Sequence, residues 1–157
     1  MLVNRRTLRI EWGQCDPAGI VFYPHYFYIF DSSTGWLFER SGLSPLAMRR
    51  KYEIVGLPIV DVGARFLKPC RFDDEVVVES EVSEWGRSSF TVGHRLLRSG
   101  ELMLDGFEKR VWAGRHPERP DQIQARALPA EIIASLSDPT GATTVIVDQA
   151  SSDAAEK

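Results

Sequence analysis

The segment from Pro24 to Ser41 constrains the fold more than any other part of the chain. It carries Tyr26, Phe27, Tyr28, Ile29, Phe30, Trp36, Leu37 and Phe38. Pro24 suits a first helical turn, and Gly42 stands where a glycine cap closes a helix, so a helix is predicted over 24–41. A helix apolar on nearly all sides is normally buried, and the chain must therefore supply a sheet to cover it. Glu75–Glu84 alternates, with Val76, Val78 and Val82 on one face. Ser89–Arg98 and Leu102–Ala113 read as two more strands, and turns at Trp85–Ser88 and Ser99–Gly100 link the three into a meander. Ahead of the helix, residues 6–12 alternate loosely, with Leu8, Ile10 and Trp12 on one face, and read as a short strand. Residues 44–53 form a short helix or loop, 55–67 are extended, and Leu128–Leu136 is a short terminal helix. The prediction is an α+β domain over residues 1–136, an antiparallel sheet of about five strands wrapped around one long central helix. Residues 137–157, rich in Ser, Asp, Ala and Thr, read as a disordered tail whose one apolar patch is Val145–Val147. A curled sheet covers a helix on one side only. Its edge strands and the uncovered helix surface call for a homo-oligomer, a dimer or a dimer of dimers.

Composition removes several classes of function. At 157 residues, 43% hydrophobic and 26% charged, the chain suits one globular domain. It has no run of about 18 apolar residues, so no membrane span is expected. The start, Met-Leu-Val-Asn-Arg-Arg, lacks the apolar core of a signal peptide. Cys15 and Cys70 are too few for a disulfide framework, which points to a reducing cytoplasm. No Cys/His spacing indicates a metal, and no cofactor is implied. A net charge of −3 argues against general nucleic-acid binding. It leaves room for an anionic small ligand held by local arginines, which suit phosphate better than lysine does.

The chemistry concentrates in Glu11-Trp-Gly-Gln-Cys-Asp-Pro-Ala-Gly-Ile-Val-Phe-Tyr-Pro-His-Tyr26. Asp16 sits in a tight Asp-Pro-Ala-Gly loop that ends the first strand and leads straight into the helix. A carboxylate ahead of the positive end of a helix can attack an activated acyl group, while helix-end N–H groups bind the oxyanion that forms. The plainer reading is a turn residue, since Asp and Gly are common in turns. Cys15 with His25 would make a nucleophile only if the imidazole reached the thiol; otherwise Cys15 is a packed thiol. His94 alternates with Phe90, Val92 and Leu96 and should face the core. Ser88-Ser89 lacks the glycine frame of a nucleophile elbow. Asp31 shares a helix face with Phe27, Thr34 and Phe38, where a buried carboxylate needs a partner or takes up a proton; the plainer reading is that it caps a loop or pairs with an arginine across a subunit interface.

The order of elements and the loop sequence resemble the hotdog-fold acyl-CoA thioesterases, in particular the 4-hydroxybenzoyl-CoA thioesterase branch. The residues that carry the resemblance are Cys15-Asp16-Pro17-Ala18-Gly19-Ile20-Val21, Tyr23-Pro24-His25-Tyr26, Asp31, Gly56-Leu-Pro-Ile-Val60, Asp73-Asp74 and Glu84-Trp85-Gly86-Arg87-Ser-Ser-Phe90. It spans residues 6–136. It implies that Asp16 is the catalytic carboxylate, as nucleophile or as general base, and that the backbone N–H of Tyr23 polarises the thioester carbonyl. It also implies that Asp31 receives a ring hydroxyl of the substrate, with Gly63, Arg87 and Arg126 as further substrate-binding positions. Gly86 and Ser88 depart from the branch, which has more basic residues there for the CoA phosphates; Arg65 and Lys68 are further candidates. The implied substrate is an aromatic acyl-CoA. The alternatives are an aliphatic acyl-CoA thioesterase and a non-catalytic acyl-CoA-binding protein on the same fold.

Overall fold

Pro24 opens helix α1, which runs to Arg40. The chain turns at Ser41 and leaves through Gly42, whose φ of +83° is the left-handed conformation that favours glycine. The computed structural model describes residues 1–141 and the backbone of 145–147. Before α1 lies strand β1 (Asn4–Arg9). After it come α2 (Pro45–Tyr52), β2 (Ile54–Gly56), β3 (Ile59–Phe66), β4 (Glu75–Trp85), β5 (Ser89–Arg98), β6 (Glu101–Val111), β7 (Ala113–Arg115), β8 (Ile123–Ala125), α3 (Ala130–Ser137) and β9 (Val145–Val147). The Ser44 hydroxyl caps α2 by accepting the Ala47 N–H at 3.1 Å.

The main sheet has the order β3-β6-β5-β4-β1-β9. Its first five strands pair antiparallel, and β9 joins β1 in parallel. A smaller sheet, β2-β7-β8, was not anticipated, because three-residue strands are too short for alternation to register. The fold is the expected α+β architecture, with α1 as its long helix and α2 and α3 as two short ones. The tail anticipated over 137–157 lies outside the described residues except for Ser137–Gly141 and β9. Among the described residues no helix is long and apolar enough to cross a membrane.

One face of α1 lies on the sheet, through Tyr26, Ile29, Phe30, Ser33, Thr34, Leu37 and Phe38. This is the three- and four-residue spacing of a single stripe. The expectation of burial on nearly all sides is corrected: Tyr28 is 70% exposed, and Asp31 also lies on the open flank. Trp12 leaves the face of Leu8 and Ile10 because the chain tightens into a 3-10 turn at Trp12–Gln14. Its ring is exposed and meets Phe72 edge-on at 5.5 Å.

The core beneath α1 falls into two apolar clusters. One gathers Leu37, Phe38, Val82, Phe90, Trp112 and Ile132; the other gathers Ile10, Tyr26, Phe30, Val78, Leu96 and Leu104. Polar side chains also lie buried beneath the helix. Asn4 stands opposite Ser80 in the β1–β4 register, and Ser80 stands opposite His94 in β4–β5. With Ser33, Thr34, Glu108 and Arg110, these are the buried polar residues among the described residues.

Candidate active site

The Asp16 loop is built by its own backbone. The Asp16 N–H donates to the Ile20 carbonyl at 2.9 Å, and the Gly19 N–H donates to the Asp16 carbonyl at 2.9 Å. Gly19 has φ +76°, which a side chain would strain. The Asp16 Oδ1 accepts the Ala18 N–H at 2.8 Å, an Asx turn. That bond leaves Oδ2 without a partner among the described residues. Cys15 bridges Val21, and the Phe22 N–H donates to the Gln14 carbonyl at 2.8 Å, so the loop is clamped onto the start of α1.

Tyr23 is the N-cap of α1. Pro24 has no N–H. The His25 N–H is taken by the Phe22 carbonyl at 3.0 Å and the Tyr26 N–H by the Tyr23 carbonyl at 3.1 Å. The Tyr23 N–H is thus the helix-end donor left without an acceptor among the described residues. The arrangement joins a half-exposed carboxylate and a free amide at the positive end of one helix, a combination able to attack a carbonyl and hold the oxyanion. An apolar cleft of about 360 Å³ adjoins it, lined by Ile20, Val21, Tyr23, Tyr26, Phe66 and Pro69. The Tyr26 hydroxyl accepts the Cys70 N–H at 3.2 Å. Burial raises the pKa values of the Tyr26 phenol and the Cys70 thiol, leaving both protonated and unreactive.

Asp31 lies eight residues further along α1, about 12 Å from Tyr23. Its side chain is 60% exposed, and its Oδ1 accepts from Arg110 Nη2 at 2.6 Å. Both residues line a cavity of about 230 Å³ with Thr34, Phe38, Met48 and Leu57. Arg110 is anchored from within: Nη1 donates to the Leu57 carbonyl at 3.1 Å, while Nε and Nη2 donate to Glu108 Oε2 at 3.1 and 2.8 Å. The Thr34 hydroxyl donates to the same oxygen at 2.7 Å. Burial would raise the Glu108 pKa, but the contact with His94, the charge of Arg110 and the bonds from Thr34 and Arg110 outweigh it and hold the carboxyl below its ordinary value.

His94 faces the core as anticipated and is 1% exposed. Its ring stacks on Phe30, with centroids 4.5 Å apart. Nδ1 lies 2.9 Å from Ser80 Oγ and Nε2 lies 3.5 Å from Glu108 Oε2. Burial lowers its pKa and keeps it neutral. Ser80, His94 and Glu108 have the composition of a hydrolytic triad, yet all three are enclosed and no substrate can reach the serine. Sequence reasoning missed Ser80, Glu108 and Arg110 as partners. Ser80 lies on the same alternation as Val76, Val78 and Val82, and Arg110 follows Glu108 at the two-residue period of one strand face, so strand register was the missing signal.

The remaining candidates divide. Arg87 and Arg126 come together, since the Leu128 N–H donates to the Arg87 carbonyl at 2.9 Å and Arg126 lies two residues before Leu128. The Arg87 side chain is exposed, with no partner among the described residues. Arg126 packs across Gly114, where a Cβ would collide with its guanidinium, and Nη2 donates to the Arg115 carbonyl at 3.0 Å. Gly63 sits apart from both, in the edge strand β3, with the Phe107 ring in the space a side chain would take. Arg65 and Lys68 are tied to Asp105 and Glu101. Among the described residues no group of three or more His, Cys, Asp or Glu side chains could hold a metal ion.

Known proteins are similar to this chain in sequence and fold. The thioesterase-like superfamily matches residues 10–136. A 4-hydroxybenzoyl-CoA thioesterase from Pseudomonas sp. (strain CBS-3) is 36% identical over 131 residues, covering 80% of this chain and 91% of that protein. The crystal structure of a 4-hydroxybenzoyl-CoA thioesterase mutant complexed with 4-hydroxybenzoyl-CoA matches with a TM-score of 0.79 and 34% identity, over 87% of this chain and 100% of that one. A gentisyl-coenzyme A thioesterase structure matches with a TM-score of 0.72 and 28% identity, over 83% and 99%. The chain belongs to the thioesterase-like superfamily and is a hotdog-fold thioester hydrolase.

Proposed function

We propose that this enzyme hydrolyses an aromatic acyl-CoA, 4-hydroxybenzoyl-CoA or a close relative, to the free acid and CoA. The observation that supports the reading is the Asp16 loop closed by its own backbone directly before α1, with the Tyr23 N–H at the helix start left without an acceptor among the described residues. The thioester carbonyl oxygen accepts from the Tyr23 N–H, and the helix terminus favours the charge that develops there. Asp16 either attacks the carbonyl carbon to give a mixed anhydride and release CoA thiolate, after which water cleaves the anhydride to the free acid and restores the carboxylate, or it takes a proton from the water that attacks the carbonyl and displaces CoA thiolate. Arg87 and Arg126 hold the CoA phosphates. Asp31 accepts the ring hydroxyl.

The exposed sheet edge implies a second subunit, and the site is then shared between two copies. Strand β3 ends the main sheet with Ile59, Val60, Val62 and Phe66 exposed, a surface suited to pairing with its own twin. Steady-state kinetics on 4-hydroxybenzoyl-, benzoyl- and straight-chain acyl-CoA esters test the reading. The expected order of kcat/KM is hydroxylated aryl, then plain aryl, then alkyl; an alkyl ester hydrolysed best would overturn the substrate assignment.

A further inference from the structure

We infer that Arg110 is a positioning residue for ring-hydroxyl selection: it fixes Asp31 as an acceptor-only receiver at the wall of the 230 Å³ cavity. The inference rests on the proposed reading of Asp31 and goes further, because it says what aims that carboxylate and which ring substituents it takes.

An aspartate on an open helix flank has freely rotating oxygens and loses entropy on binding a ligand. Here the freedom is already gone. Arg110 is a rigid fork whose side chain is 9% exposed, and it is held from three directions: Leu57 through Nη1, Glu108 through Nε and Nη2, and Asp31 through Nη2. Glu108 cannot drift, because Thr34 and His94 fix the oxygen that Arg110 uses. Asp31 Oδ1 is therefore tied to a framework of buried groups, while Oδ2 keeps its lone pairs for a ligand.

The acceptor atoms set the selection. Asp31, Arg49 and Arg110 are the charged residues of the cavity wall, with Glu108 buried behind Arg110, so the formal charges cancel, and His94 is held neutral by burial. Arg49 is exposed and screened by solvent, and the polar atom left for a ligand is Asp31 Oδ2. A free carboxylate oxygen takes a hydroxyl that donates and repels a carboxylate at the same ring position. Removing Arg110 leaves Asp31 chemically intact but unaimed.

The test is the ratio of kcat/KM for 4-hydroxybenzoyl-CoA over benzoyl-CoA, a quantity that a general loss of stability does not move. Asp31→Ala should lower the ratio by about tenfold to a hundredfold. Arg110→Gln should lower it by about tenfold, and Arg110→Lys, which keeps a donor, should restore part of it. In the Asp31→Ala background, Arg110→Gln should have no further effect on the ratio. Should Arg110→Gln not fold, the double substitution Glu108→Gln with Arg110→Gln leaves no buried charge alone and is read in the same way. A folded Arg110 variant with the native ratio, or one whose effect is equally large without Asp31, overturns the positioning role alone. A native ratio near one, or one that Asp31→Ala leaves unchanged, overturns the reading of Asp31 and this inference with it.

Discussion

Glu108→Ala tests whether the buried network is a mechanical part of the domain. Glu108 and Arg110 are 1% and 9% exposed. The substitution removes the acceptor of three bonds, at 2.7, 2.8 and 3.1 Å, and leaves the guanidinium with Asp31 at the rim as its one counter-charge. Breaking a buried ion pair by removing one partner costs about 3–5 kcal/mol. The lower end applies here, because Glu108 Oε1 is buried without a partner in the native chain and that penalty disappears with the side chain. A loss of about 3 kcal/mol corresponds to a Tm about 6–12 °C lower for a chain of this size. Urea unfolding at fixed protein concentration, followed by tryptophan fluorescence, measures it; Trp112 is 2% exposed and reports on the core. Glu81→Ala, on the exposed face of β4, is the control and should stay within about 0.5 kcal/mol. Replacing Glu108 and Arg110 together by methionine strands no buried charge and should cost less than Glu108→Ala alone. A Glu108→Ala protein within about 1 kcal/mol of native, with an unchanged m-value, would refute the reasoning.

Three further outcomes follow from the same structure. Arg87→Ala and Arg126→Ala should each raise KM for CoA esters about tenfold, with kcat nearly unchanged, while a thioester lacking the nucleotide is hydrolysed as before; equal losses on both substrates would remove the arginines from the CoA site. Sedimentation at micromolar concentration should find a dimer or a dimer of dimers, and a stable monomer would defeat the two-subunit site. Stability should fall as pH drops below the ordinary histidine value of 6.5, because unfolded His94 takes up a proton that the folded chain resists, and again below 4.5 as Glu108 is protonated. Each step has a slope of up to about 1.4 kcal/mol per pH unit, and His94→Gln should flatten the first; a curve unchanged by His94→Gln would contradict the buried neutral imidazole.

What could be read from the sequence was local. Pro24 and Gly42 bracket α1 in the chain as in the structure, and the alternation of Val76, Val78 and Val82 places β4 correctly. The Asp-Pro-Ala-Gly turn before an aromatic helix brings Asp16 and Tyr23 to one end of α1, because the loop is short and closes on its own backbone. What stayed hidden depends on long-range register. Nothing near Asp31 in the sequence points to Arg110, 79 residues away. Ser80 and His94 meet because β4 and β5 pair in one register; a slip of one residue would turn each to the other face. The exposure of Trp12 follows from a 3-10 turn that the loose alternation of residues 6–12 does not reveal.

The central claim, that Asp16 performs the chemistry, is tested most directly by single-turnover hydrolysis of 4-hydroxybenzoyl-CoA by Asp16→Asn, with binding of the ester measured on the same protein. Asparagine keeps the size and can still accept the Ala18 N–H, so the loop should hold its shape. Loss of general-base help is worth about 10²–10⁴-fold, and loss of a nucleophile can exceed that. The account predicts a fall in turnover of at least a hundredfold with the affinity for the ester retained. Turnover within a few-fold of native by a folded Asp16→Asn protein would contradict it.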